Sequence, residues 1–192
     1  MKLKKLLACA ITCCATFNAA AKDADTATPL SFHNTHTNES IVIHHTRGQS
    51  VSAETNRFMR DWRRNQPADM DPRLLDLLVE LKTAINRRHP DLKVVFDIIC
   101  AFRNLQTNEM LRQKIGPEGK PSQAKDSEHL HGKAMDFRVP GLKLEELRDI
   151  ATCLYAGGVG YYPSADNRFI HADVGRVRYW PSRAYLQTLK CD

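Results

Sequence analysis

Between residues 127 and 136 the chain reads Ser-Glu-His-Leu-His-Gly-Lys-Ala-Met-Asp. Gly132 permits a sharp turn between His129 and Asp136, so an imidazole and a carboxylate can be brought to one point. A further histidine lies far along the chain, in Arg168-Phe169-Ile170-His171-Ala172-Asp173. Two imidazoles and one carboxylate are the donor set of a catalytic zinc (Zn2+) site, where three protein ligands leave one position open for water. Zinc lowers the pKa of such a water from about 15.7 toward 7. A single His-x6-Asp spacing carries little weight in a chain with eight histidines, because an isolated histidine is more often a packing or surface residue than a ligand. The fuller pattern Ser127, His129, Gly132, Ala134, Asp136 is a five-position coincidence, expected in well under about one in a thousand chains of average composition.

These residues need elements to hold them. Residues 30–36 and 40–46 are short β-branched runs separated by Thr37-Asn38-Glu39, the pattern of a hairpin. Residues 52–65 are expected to form a helix with Phe58 and Trp62 on one face. Asp71-Pro72 opens a second helix, whose Leu74, Leu75, Leu78, Leu81 and Ile85 keep helical spacing as far as His89-Pro90. A buried strand over residues 94–99, a polar helix over 105–114 and a loop over 116–125 follow. Strands are expected over 134–139, 157–162 and 169–174, with an amphipathic helix at 143–155 and a closing helix at 182–189. Helices come early and hairpin-like strands late. The expected class is α+β, with a small, mostly antiparallel sheet packed against helices and a catalytic zinc cleft on that sheet.

With 42% apolar and 26% charged residues, the 192-residue chain has ordinary globular composition. Such a chain builds a core without a metal, so a metal here points to chemistry. Lys2, Lys4 and Lys5, an apolar run over 6–17 and a small-residue end mark residues 1–21 as a secretory signal peptide. Residues 22–28 read as a disordered lead-in, and 29–192 as a single catalytic domain. The apolar run is shorter than the roughly 20 residues a membrane span needs, and stable membrane insertion is not expected. Without the signal, Lys+Arg falls from 28 to 25 against 22 acids. That excess is mild and spread along the chain, which argues against nucleic acid as a partner. Cys100, Cys153 and Cys191 then remain, enough for one disulfide and one free thiol. Spacing alone does not fix the pair. Cys153 with Cys191 is the expectation, because Cys100 ends an apolar strand and suits a buried small residue.

The motif resembles that of the zinc peptidases grouped with D-Ala-D-Ala carboxypeptidases and the hedgehog signalling domain. Met135-Asp136-Phe137, the stretch from Ala156 through Gly157-Gly158-Val159-Gly160-Tyr161-Tyr162-Pro163, Phe169-Ile170-His171-Ala172-Asp173 and Arg178-Tyr179-Trp180 are similar to the YcbK-like branch, the murein endopeptidase K family. The resemblance implies that His129, Asp136 and His171 are zinc ligands in a periplasmic enzyme acting on peptidoglycan stem peptides and their cross-links. It also gives Arg103, in Ala101-Phe102-Arg103-Asn104, the place of a family arginine that binds substrate carboxylate or carbonyl groups; the family's Gly, Tyr and Ser around it are replaced here. A guanidinium suits that role through paired hydrogen bonds.

Related peptidases carry an acid three residues before the last histidine, where this chain has Arg168. Two roles are open to Asp173, two residues beyond His171 on a strand and hence on the same side: general base, or a group that orients a ligand imidazole. Asp166 is the reserve candidate for the base, and His131 is read as solvent-facing. The leading expectation is a murein endopeptidase. A carboxypeptidase trimming stem peptides and a non-catalytic zinc-containing binding module are the alternatives. The chain has no Gly-x-Ser-x-Gly elbow for a serine hydrolase.

Overall fold

The computed structural model describes residues 26–115, 119, 123–164, 168–181 and 184–191. The signal-peptide expectation, most of the 116–125 loop and Asp166 fall outside these residues. Strands β1 (Thr28–Asn34) and β2 (Ser40–His45) form the expected hairpin, with β1 set two residues earlier than expected. Its turn is tightened by Asn34 Oδ1, which accepts from the backbone N–H of His36 and Thr37.

The helix expected over 52–65 is cut short. Helix α1 covers only Ala53–Phe58, because the buried Asp61 carboxylate accepts from the backbone N–H of Arg63, Arg64 and Asn104, bending the chain into a turn closed against Gln66. Phe58 enters the core, while Trp62 leaves it to stack on His36 at 4.1 Å. Helix α2 (Pro72–Arg88) is capped by Asp71, whose side chain accepts from Arg73 N–H, and its five expected apolar residues are buried.

Strand β3 (Val95–Cys100), helix α3 (Leu105–Arg112), strand β4 (Ala134–Arg138), helix α4 (Leu144–Cys153), and strands β5 (Gly158–Tyr162), β6 (Phe169–Asp173) and β7 (Arg178–Trp180) complete the domain. The strands form one seven-stranded sheet in the order β2-β1-β3-β4-β6-β5-β7. The class is α+β and the sheet is mixed: β1 pairs with β3 and β5 with β7 in parallel, two pairings that a reading built on hairpin neighbours did not contain. The first of them is bridged by α1 and α2, as a parallel crossover requires. The closing segment is one 3-10 turn, Ala184–Gln187, rather than a helix over 182–189. Side chains hold it instead: Tyr185 lies under the Arg148 guanidinium and meets Thr152 Oγ1 at 3.1 Å. Cys153 is disulfide-bonded to Cys191, and Cys100 is a buried free thiol, both as expected.

The two faces of the sheet do different work. Phe32, Phe96, Phe137, Ile170 and Val159 belong to the core that contains the buried residues of α2 and α4. The other face carries a row through directly paired positions, Cys100, Asp136, His171, Gly160 and Trp180; a register shift between Ile98 and Cys100 turns Cys100 to this side, away from the face of Phe96 and Ile98. Among the described residues no helix is long and apolar enough to cross a membrane.

Candidate metal centre

Asp136 and His171 are directly opposed on β4 and β6, and His129 reaches them from the 3-10 turn Glu128–His131. That turn ends at Gly132 with φ of 64°, where an added Cβ would lie 2.6 Å from Asp69 O. Only glycine fits both the left-handed backbone and the close approach. The chain is then free to enter β4 with Asp136 on the site face.

Three donor atoms converge. His129 Nε2 lies 3.2 Å from Asp136 Oδ1 and 3.1 Å from His171 Nδ1, and His171 Nδ1 is 2.9 Å from the same Asp136 oxygen. The far side of each ring fixes its tautomer. His129 Nδ1 is 2.6 Å from Ala101 O, which can only accept, so this nitrogen carries the proton and Nε2 presents a lone pair. His171 Nε2 is 2.8 Å from Asp173 Oδ2, which places its proton there and a lone pair on Nδ1. Three lone pairs therefore face one point, an arrangement suited to a cation. A tetrahedral ion with bonds of about 2.0–2.1 Å needs ligand atoms roughly 3.3 Å apart, close to the separations found. The residues fit zinc.

The electrostatics agree with a site built for a positive guest. Burial disfavours the His129 imidazolium, but the Asp136 carboxylate and Cys100 outweigh it and raise its pKa to about 10. Asp136 is buried, which opposes ionisation, yet His129 and His171 hold its carboxyl well below the usual range. Cys100 is a further donor near the site; Cys100, His129 and Asp136 present atoms within 4.8 Å of one another. His171 completes the tighter set, since its Nδ1 approaches both other ligand atoms within 3.1 Å, whereas Cys100 Sγ lies 3.6 Å from an Arg103 nitrogen.

Asp173 shares the site face but not the point of convergence. It is fully buried and accepts from His171 Nε2, Gly158 N–H, Gly175 N–H and both terminal nitrogens of Arg178. Burial opposes its ionisation, but these bonds, led by His171, hold its carboxyl well below the ordinary range. Arg103 is buried too. It donates to Gln123 Oε1 at 2.6 Å and Asn108 Oδ1 at 3.3 Å, and its second terminal nitrogen is 3.7 Å from Asp136 Oδ2. His131 turns outward and pairs with Asp126 at 2.8 Å.

A cleft of about 270 Å³ opens on the three converging donors, walled by Tyr162, Phe169, Trp180, Arg178, Glu128 and Gln123. A larger cavity of about 690 Å³ lies by His45 and Asp76, away from the converging donors; the smaller one is where chemistry is possible. Reading the sequence for ligands did not single out Tyr162, Trp180 or Glu128 as site residues. The signal for Trp180 was Gly160 inside a strand, since such a glycine marks close approach. An added Cβ at Gly160 would lie 2.5 Å from the Trp180 indole, and that indole is 5.1 Å from the His171 ring. Gly160→Ala is therefore expected to push Trp180 off His171 and to destabilise the fold by about 1–3 kcal/mol, read as a lower urea midpoint.

The family model described as peptidoglycan L,D-endopeptidase MepK matches residues 22–180. The peptidoglycan L,D-endopeptidase MepK of Escherichia coli strain K12 is 37% identical over 155 residues, covering 79% of each chain. The probable peptidoglycan L,D-endopeptidase MepK of Haemophilus influenzae strain Rd is 36% identical over 155 residues, 79% of this chain and 77% of its own. No solved structure matches. With a family model spanning most of its length and relatives this similar along nearly four-fifths of both chains, the chain belongs to the peptidoglycan L,D-endopeptidase MepK family.

Proposed function

We propose that this chain is a zinc-dependent murein endopeptidase of the periplasm, cutting the L,D peptide cross-links of peptidoglycan. The observation that carries the reading is the convergence of His129 Nε2, His171 Nδ1 and Asp136 Oδ1 within 3.2 Å, with both imidazole tautomers fixed from behind. The basic, then apolar, then small-residue start of the chain supports removal of residues 1–21 on export, leaving one catalytic domain over 29–192. The Cys153–Cys191 disulfide suits an oxidising compartment.

His129, Asp136 and His171 would hold a zinc ion, which would supply Lewis acidity toward a carbonyl and lower the pKa of water toward neutral pH. The chain's own groups do the rest. Ala101 O and Asp173 hold the two ligand rings in register. Of the two roles open to Asp173, orientation is the one we assign: a carboxylate has about four lone-pair sites, and this one already accepts five N–H groups, so it has no capacity left for a proton from water. Proton uptake we assign to Glu128, a cleft carboxylate beside His129 in sequence; the other acid there, Asp126, is tied to His131. Arg103 steadies Asp136 and, along the edge now held by Gln123, meets a substrate carboxylate or carbonyl.

The test is digestion of intact sacculi and of defined L,D cross-linked fragments by zinc-loaded protein, with mass spectrometry of the products. Conversion of cross-linked dimers to monomers is expected. Loss of only a terminal residue from uncross-linked stems would make the enzyme a carboxypeptidase, and release of nothing would make it a binding module.

A further inference from the structure

The wall of the cleft contains a hydrogen-bond donor whose direction is set by its neighbour. Trp180 Nε1 lies 2.7 Å from the Tyr162 hydroxyl oxygen. An indole N–H only donates, so the Tyr162 oxygen is the acceptor and its own O–H must point elsewhere. Among the described residues that proton meets no acceptor, although Tyr162 borders the same cleft as His129, Asp136 and His171. The next residue behaves differently: Tyr161 sits one step along β5, facing the other side of the sheet, and donates its hydroxyl to Glu145.

The ring that carries this donor is held on both sides. Tyr162 is paired with Phe169 across β5 and β6, and the two rings stack at 4.7 Å and 24°. Trp180 is placed on the parallel neighbour β7 directly beside Gly160, whose missing side chain lets the indole lie over the strand. The hydroxyl oxygen thus lies at the corner of Phe169 stacking and Trp180 donation. Burial also raises the Tyr162 pKa above its ordinary value, so the group remains a donor across the neutral range.

We infer that Tyr162 is a catalytic residue of this site: its hydroxyl donates a hydrogen bond to the scissile carbonyl oxygen as negative charge develops there, and Trp180 is the positioning residue that turns the proton into the cleft. This rests on the peptidase reading and deepens it. A fixed donor aimed at developing charge lowers the barrier without first having to reorient. No covalent bond to Tyr162 is formed and its proton is shared, not transferred.

The test compares Tyr162→Phe, which keeps the stacked ring and deletes only the hydroxyl, with wild type on an L,D cross-linked fragment. Turnover should fall by about a hundredfold or more, as for loss of one oxyanion donor, with KM and zinc content unchanged. Trp180→Phe should lower turnover less, again without moving KM. Binding of a phosphinate analogue of the cleaved peptide, followed calorimetrically on zinc-loaded protein, gives a readout that needs no turnover. Tyr162→Phe should weaken the phosphinate by a similar factor while leaving affinity for the same peptide with a methylene in place of the phosphinate group unchanged. Turnover within threefold of wild type, or unchanged phosphinate affinity, overturns the inference. A wild-type protein that neither cleaves the fragment nor binds the phosphinate overturns the peptidase reading itself.

Discussion

Replacing His171 with Ala is expected to empty the metal centre and to lower activity by about a thousandfold or more, since a catalytic metal supplies several kcal/mol of transition-state stabilisation. The loss has a simple origin. His171 Nδ1 is within 3.1 Å of both other ligand atoms, and two remaining donors do not make the three-ligand set of a catalytic zinc. Zinc measured by elemental analysis should drop from about one per chain to a small fraction. The fold should persist, because the core is built elsewhere: on the opposite face Phe96 packs against Phe32 in a tilted pair at 5.6 Å and against Phe137 edge-to-face at 5.4 Å. Chelation of wild type should likewise stop activity and leave far-ultraviolet circular dichroism nearly intact. Full zinc and full turnover in the His171→Ala protein would show the ligand set to be misassigned, and unfolding on chelation would make the metal structural.

The same site predicts how zinc affinity follows pH. Metal-free His129 holds its proton up to about pH 10, owing to Asp136 against the opposing effect of burial. Zinc must displace that proton, so binding releases one proton and apparent affinity rises with pH below that point, by up to about tenfold per unit. Calorimetry in buffers of different ionisation enthalpy measures the release directly.

How much of this was legible in the residues follows from which interactions are local. The α2 helix could be read because its cap, Asp71, and its apolar stripe lie within one continuous segment. The α1 boundary could not: the Phe58–Trp62 spacing is helical, but the Asp61 carboxylate binds the Asn104 N–H more than forty residues away, and that contact wins. Strand β7 is only three residues long and finds its place through parallel pairing to β5, which no local pattern announces. The convergence of His129, Asp136 and His171 was visible because their types and spacing are chemically restrictive. The role of Asp173 was not, because strand periodicity tells which face a side chain occupies, not which edge of a neighbouring ring it meets. The Tyr162–Trp180 bond needs the register of β5 against β7 as well as the glycine between them.

Asp173→Asn should expose that role through tautomer chemistry. One oxygen of Asp173 accepts from Gly158 N–H, Gly175 N–H and an Arg178 nitrogen, and the other from His171 and the second Arg178 nitrogen. An amide has a single oxygen, and the three-donor side, containing two fixed backbone groups, claims it more strongly. The amide NH2 then faces His171 Nε2, which must become an acceptor, and the ring proton moves to Nδ1, the atom that should present a lone pair to the metal. Zinc affinity is expected to fall by about ten- to a hundredfold, in the range for loss of an orienting partner, and excess zinc should restore much of the rate. Had Asp173 been the general base, the variant would keep its zinc and lose about a hundredfold or more in turnover at every zinc concentration. Rate measured against free zinc therefore separates the two roles, and a dye-competition titration gives the affinity without turnover. A variant with wild-type affinity and wild-type rate would exclude both, and would mean that Ala101 O and packing alone hold the two imidazoles in place.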